Sequence, residues 1–201
     1  MNRWAQVDHP VQDEILKRWS PYVFSERAVS AADVRSLFEA ARWAASSYNE
    51  QPWRYIVASK EQADEFPRVL SCLMEANQPW AQHAPVLAIA VIMLRFSRND
   101  KPNKAAFHDL GLASASLTFE ATARGLNVHQ MIGIIPEKAR ELFGIPEGAE
   151  AVTALAIGYP GDPQQAEEKY RQRDEWPRTR RPLNEFVFSG TWGQASPLLR
   201  E

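Results

Sequence analysis

Ten consecutive residues, Pro85-Val-Leu-Ala-Ile-Ala-Val-Ile-Met-Leu94, carry no polar side chain, and this run limits what the chain can fold into. It is about half as long as a membrane crossing requires. Its β-branched residues favour an extended chain, so it reads as a strand buried on both faces. Such a strand needs other elements packed above and below it. The chain supplies them: 201 residues, of which 45% are hydrophobic and 24% charged, suit one domain with a substantial core.

Periodicity around this strand predicts the remaining elements. Val11–Trp19 reads as a helix, with Val11, Ile15 and Leu16 on one side. Ser30 is a good N-cap with Asp33 three residues on, and Val34, Leu37, Phe38 and Ala41 continue at helical spacing to about Ala45. Tyr55–Ala58 forms a short strand, and residues 61–76 a helical stretch. The clearest helix spans 105–124, with Leu110, Leu117 and Ala121 on one stripe and Gly125 just past its end. Strands are expected at Val128–Ile135 and Val152–Gly158, separated by a helix that opens on Pro136 and ends near Phe143. Helices mixed with about four strands imply a layered α+β or α/β architecture.

From Gly161 the chain is polar and proline-bearing, with a basic run at Arg178–Arg181. A segment of that composition is expected to be loose. Its second half nevertheless holds Trp176, Leu183, Phe186, Val187, Phe188 and Trp192. These need a surface to pack on, either the parent domain or a second subunit.

Charge and motif content exclude several functions. The net charge is −2, so no overall field attracts nucleic acid or anionic lipid. Cys72 is the single cysteine, which precludes an internal disulfide and a cysteine-rich metal site. The N-terminal residues lack the apolar core of a signal peptide, so a soluble, cytoplasmic protein with no membrane or nucleic-acid partner is expected. There is no G-x-G-x-x-G, no phosphate-binding G-x-x-x-x-G-K-[ST] and no G-x-S-x-G. The histidines at 9, 83, 108 and 129 show no ligand spacing, so no metal is expected.

Three polar segments at element boundaries remain. Arg18, Trp19, Ser20 and Tyr22 follow the first helix; an arginine fork with a nearby hydroxyl can hold a phosphate, although a solvated helix end has the same composition. In Ser46–Trp53, Asn49 and Gln51 carry donors and acceptors suited to a heterocycle edge, although a polar turn with an Asn at a helix C-terminus has the same composition. Arg178 and Arg180 form either a solvated basic run or an anion site.

Taken in order, these segments resemble the nitroreductase family of flavoproteins. Arg18-Trp-Ser20-Pro-Tyr22-Val-Phe24 resembles its R-x-S-x-R-x-F opening, and Ala44-Ala-Ser46-Ser-Tyr-Asn49-Glu-Gln51-Pro-Trp53 its A-P-S-x-x-N-x-Q-P-W block. His108–Ala113 with Ala123–Leu126 is similar to the family's long central helix, Ala156–Pro160 to its late strand, and Arg178–Glu185 to its basic C-terminal stretch. The resemblance runs from about residue 14 to 193.

It implies a three-layer α-β-α fold of the α+β class with a central, mainly antiparallel sheet. It also implies a homodimer with FMN in two interfacial clefts. The chain is then one domain over 1–201, with a core of about 14–160 and an arm of about 161–201. Arg18 and Ser20, flanked by Trp19 and Tyr22, are expected at the FMN phosphate or ribityl end, with Arg178 and Arg180 approaching from the arm. Ser46, Ser47 and Asn49 would line the cleft from the partner subunit. Gln130, Met131 and Gly133 would contact the ring, and Asn77 its pyrimidine side. Two departures stand out: Tyr22 occupies a position where the family has a basic residue, and Ala45 replaces a proline. The implied reaction passes hydride from NAD(P)H through FMN to a small oxidised acceptor such as a nitroaromatic or quinone, with no dedicated catalytic side chain. The alternatives are a flavin-binding protein without turnover, or the same fold with other flavin chemistry such as dehalogenation or flavin cleavage.

Overall fold

The computed structural model describes residues 4–200. In chain order the helices and strands are α1 (Asp13–Lys17), α2 (Ala31–Arg42), β1 (Trp53–Ser59), α3 (Glu65–Ser71), α4 (Gln78–Ala81), β2 (Val86–Met93), α5 (Ala106–Ala123), β3 (Asn127–Met131), α6 (Pro136–Phe143), β4 (Ala149–Gly158) and α7 (Glu168–Glu175). The strands form one sheet in the order β1-β2-β4-β3, and every neighbouring pair is antiparallel.

The apolar run becomes β2, one of the two inner strands, and its side chains alternate between two cores. Leu87, Ile89 and Val91 face one core, shared with Val69 and Leu73 of the α3 region, Trp80 of α4 and Ala139 of α6. Val86, Ala88, Ala90 and Ile92 face the other, shared with Leu37 and Ala41 of α2 and with Leu110, Ala113 and Leu117 of α5. Helices on both faces of an antiparallel sheet make the three-layer α+β fold.

Helix ends follow local chemistry. Ser30 Oγ accepts the Asp33 backbone N–H at 3.0 Å and starts α2. Gly125, at φ +74°, closes α5 in the left-handed region that glycine adopts without a Cβ clash.

Tertiary pairing shortened two expected elements together. The helix expected over 61–76 ends at Ser71, and the strand expected to reach Ile135 ends at Met131. Residues 72–74 and 133–135 bond to each other instead: Ile135 N–H donates to the Cys72 carbonyl at 2.7 Å and Met74 N–H to the Gly133 carbonyl at 3.0 Å. The helix expected over Val11–Trp19 is likewise trimmed to Asp13–Lys17, and that reaching Ala45 stops at Arg42.

The arm beyond Gly161 is more ordered than its composition suggests. It contains α7, anchored by Tyr170 and by a buried Asp174. The Asp174 carboxylate accepts the backbone N–H groups of Tyr22 (2.8 Å) and Val23 (3.2 Å), pinning the arm to the segment after α1. Further along, Trp176 and Phe186 stay exposed and Trp192 is 90% exposed. Phe188 and Trp192 pack on each other, with ring centroids 5.2 Å apart.

Candidate functional site

Where α1 ends, Arg18 takes up an extended conformation and Pro21 follows, so the chain turns away from the helix. The carbonyls at such a helix end lack internal partners. The Arg178 guanidinium supplies two donors there, to the Leu16 carbonyl at 2.8 Å and the Arg18 carbonyl at 2.5 Å. This brings the basic part of the arm against Arg18, which donates to Ser20 Oγ at 3.3 Å. Arg180 completes the cluster.

Three guanidiniums in one place repel. Arg18 is held below its ordinary pKa, first by burial and then by the Arg180 charge. Arg178 is lowered by burial, then by Arg18 and Arg180. Neither Arg18 nor Arg180 forms an ion pair among the described residues. A group that offers a dianion to such a cluster relieves both desolvation and repulsion, so the donor set suits a phosphate.

Among the described residues, Arg18 lines a cavity on each of two sides. One, of about 750 Å3, is walled by Trp4, Trp19, Trp176, Arg173 and the Arg178–Arg180 segment. The other, of about 280 Å3, brings Arg18 and Ser20 against Ala115, Thr118 and Phe119 of α5 and Gln130 of β3. Gln130 is oriented by its Nε2 donating to Thr118 Oγ1 at 3.0 Å. The Met131 side chain is buried in the core, leaving its backbone at the strand end.

Asn77 and Gly133 form a second unit. Asn77 Nδ2 donates to the Gly133 carbonyl at 2.9 Å, and a Cβ on Gly133 would sit 2.4 Å from that nitrogen. A side chain at residue 133 would push the Asn77 amide out of this position.

Tyr22 turns elsewhere. Its ring packs edge-on to Trp80 (5.1 Å) and His129 (4.6 Å) and stacks on Tyr170 at 6.0 Å. Within the chain it lines a separate cleft of about 680 Å3 between the post-α1 segment and the start of the arm.

Ser46, Ser47 and Asn49 lie on the turn after α2, next to the first turn of α5. The buried Asp109 carboxylate accepts the Ser47 N–H at 3.0 Å. Ser46 Oγ accepts the Gln51 N–H, also at 3.0 Å. Tyr48, Asn49 and Gln51 have φ of 53°, 55° and 51°, a left-handed conformation that costs non-glycine residues energy and persists only when surroundings enforce it. From Asp109 to the Ala115–Phe119 wall is six to ten residues of helix, roughly 9–15 Å along its axis. Within one chain, neither of the two cavities beside Arg18 is lined by this turn among the described residues.

Two carboxylates central to this arrangement, Asp109 and Asp174, were not singled out from the sequence. The signal was present for Asp174: Tyr170 and Asp174 are four residues apart on one face of an otherwise charged segment.

Fold and site together define a three-layer α+β protein with an arginine-lined cleft beside its longest helix. The chain belongs to the nitroreductase family, whose model matches residues 15–159. It is 28% identical over 193 residues to the major NAD(P)H-flavin oxidoreductase of Aliivibrio fischeri, covering 76% of this chain and 88% of that protein. It is also 28% identical over 200 residues to an NADH dehydrogenase of Thermus thermophilus, covering 86% and 92% of the two chains. Among solved structures, an oxidoreductase containing FMN superposes with a TM-score of 0.88 at 32% identity, covering 94% of this chain and 96% of that one. Among the described residues no helix is long and apolar enough to cross a membrane.

Proposed function

We propose that this chain is an FMN-dependent oxidoreductase that takes hydride from NAD(P)H and passes it to a small oxidised acceptor, such as a nitroaromatic or quinone, as a cytoplasmic homodimer. Family membership and the FMN-containing structural relative support the cofactor. The flavin oxidoreductase of Aliivibrio fischeri supports the reductant. The observation that carries the reading within this chain is the cluster of Arg18, Arg178 and Arg180, whose like charges are concentrated at a cavity edge.

When bound, FMN supplies the hydride chemistry, and the protein supplies position and field. Arg18, Arg180 and the Ser20 hydroxyl hold the phosphate. Arg178 acts mainly by fastening the arm to the end of α1, so that Arg180 reaches the cleft. Gln130, the Met131 backbone, Gly133 and Asn77 face the ring, with Thr118 fixing the Gln130 amide. Trp19 forms a wall on the phosphate side. Tyr22 contributes packing rather than charge, because its ring is committed to Trp80, His129 and Tyr170.

The second subunit completes the cleft. α5 is apolar on two sides: Leu110, Ala113 and Leu117 face the core, while Phe107, Gly111, Ala115 and Phe119 run at four-residue spacing along its outer side. A helix of that kind is covered on both sides. Its outer stripe adjoins the cavity of Arg18 and Ser20, so a partner docked there can bring its own Ser46–Asn49 turn to the flavin. The domain then comprises a core of about 14–160 and an arm of about 161–201 that wraps the partner.

The absorption spectrum of the purified protein, chromatography of the acid-released cofactor, and NADH or NADPH oxidation with a nitroaromatic acceptor test this reading. A colourless protein, or FAD as the sole flavin, overturns it. Bound FMN without turnover would mark a flavin-binding protein instead.

A further inference from the structure

The turn that follows α2 carries a feature the flavin reading does not use. Tyr48, held at φ +53°, projects its ring outward and is 73% exposed. The Arg98 guanidinium lies 3.9 Å from the centre of that ring, and Phe96 meets the ring edge-on at 5.9 Å. Arg98 belongs to the loop between β2 and α5, distant in sequence from Tyr48, so this contact is tertiary.

Two hydrogen bonds fix the two loops to each other. Ser97 N–H donates to the Glu50 carboxylate at 2.7 Å, and Ser97 Oγ donates to its other oxygen at 3.3 Å. The Arg98 loop is closed by Phe96 N–H donating to the Lys101 carbonyl at 2.9 Å and Asp100 N–H donating to the Phe96 carbonyl at 2.9 Å. On the other side, buried Asp109 holds Ser47. The platform is therefore assembled before any ligand arrives, which lowers the ordering cost of binding.

The charges around it are unevenly neutralised. Arg95 pairs with Asp100 at 3.5 Å, and Glu50 is engaged by Ser97. Arg98 forms no ion pair among the described residues. A guanidinium stacked on an aromatic face keeps its in-plane N–H donors available, the geometry that grips a phosphate or carboxylate through two bonds.

We propose that Arg98, seated on Tyr48 beside the Ser46–Asn49 turn, is a specificity-determining residue that docks an anionic group of the substrate at the mouth of the flavin cleft. The inference rests on the flavin reading, because that reading places the turn along the cleft. The anion is a phosphate or carboxylate. It belongs either to the reductant, as the 2′-phosphate that distinguishes NADPH from NADH, or to the acceptor.

The experiment uses the FMN-loaded protein and its Arg98→Ala, Arg98→Lys and Tyr48→Ala variants. One arm compares kcat/KM for NADPH and NADH with a neutral acceptor. The other holds NADH constant and compares 4-nitrobenzoate with 4-nitrobenzamide. The parent is expected to favour the anionic member in one arm. Arg98→Ala should reduce that preference about tenfold, the scale of one charge-assisted hydrogen bond at a partly exposed site. Arg98→Lys should keep part of it, and Tyr48→Ala should lose part by freeing the guanidinium. Added salt should erode the parent's preference more than that of Arg98→Ala. The arm that responds identifies the source of the anion. Equal ratios in parent and Arg98→Ala in both arms overturn the proposal, as does a parent with no anion preference in either arm. Absence of FMN or of all turnover in the parent instead defeats the flavin reading, so the two failures are separable.

Discussion

The Asp109 carboxylate, 2% exposed on the first turn of α5, accepts the backbone N–H of Ser47 at 3.0 Å across a sequence separation of 62 residues. It joins the longest helix to a turn that contains three left-handed non-glycine residues. Asp109→Ala should release that turn and leave the Ser47 N–H without its acceptor, at a cost of about 1–3 kcal/mol. We expect a lower unfolding midpoint and weaker FMN binding, measured by denaturant titration and by flavin fluorescence. Asp109→Asn retains an acceptor oxygen and should restore much of both. If Asp109→Ala binds FMN as tightly as the parent, the turn does not depend on this clamp for its shape.

The three arginines should respond differently. Arg18→Ala and Arg180→Ala should each weaken FMN binding by roughly 1.5–3 kcal/mol, with high salt reproducing part of the loss. Arg178 donates to the carbonyls of Leu16 and Arg18. Its replacement by Ala should therefore also detach the arm, which limited proteolysis near α7 would detect. Equal protease resistance in all three variants would contradict this division of roles.

Dimer formation can be tested without touching the arginines. Phe107 and Leu112 lie on the outer side of α5, away from the Arg18 cavity. Introducing Glu at both positions places two charges in the expected interface, where desolvation penalises them heavily. Light scattering should then report a monomer, and FMN should be lost with the partner's half of the cleft. Replacing Phe186, Phe188 and Trp192 with Ser should weaken the dimer through the arm, since each ring buries about 150–250 Å2 at about 25 cal/mol per Å2. A monomeric variant that still holds FMN and reduces substrate would refute the shared cleft.

His129 makes the fold sensitive to pH. Burial holds its pKa below the ordinary value; the hydrogen bond to the Pro21 carbonyl opposes that shift, and the Arg173 charge adds to it. A depressed imidazole pKa means that below about pH 6.5 the unfolded chain binds a proton that the folded chain refuses. Stability is complete above that value and falls as the pH drops through the window down to the folded pKa. Denaturant titrations at pH 7.5 and pH 5.5 should show this loss in the parent, and a smaller loss in His129→Gln. The same slope in both proteins would assign the acid sensitivity to other groups.

Local patterns in the sequence were enough for the layers and for the family. The unbroken apolar run required a strand buried on both sides, and β2 is that strand. Ser30 with Asp33, Gly125 and Pro136 marked helix ends because caps act within one turn, and those ends lie where expected. The ordered motifs from Arg18 onward pointed to the family, whose model matches residues 15–159.

Other features depended on partners distant in sequence, and only tertiary structure could decide them. The helix and strand that were expected to run on both stop where residues 72–74 meet 133–135, because backbone groups there find each other rather than their local neighbours. Asp174 gives the polar arm an anchor by accepting two N–H groups about 150 residues away, a bond that no local periodicity encodes. Tyr22 occupies a motif position in the chain, yet its ring joins Trp80, His129 and Tyr170, because burial of an aromatic surface directs the side chain once the layers have closed.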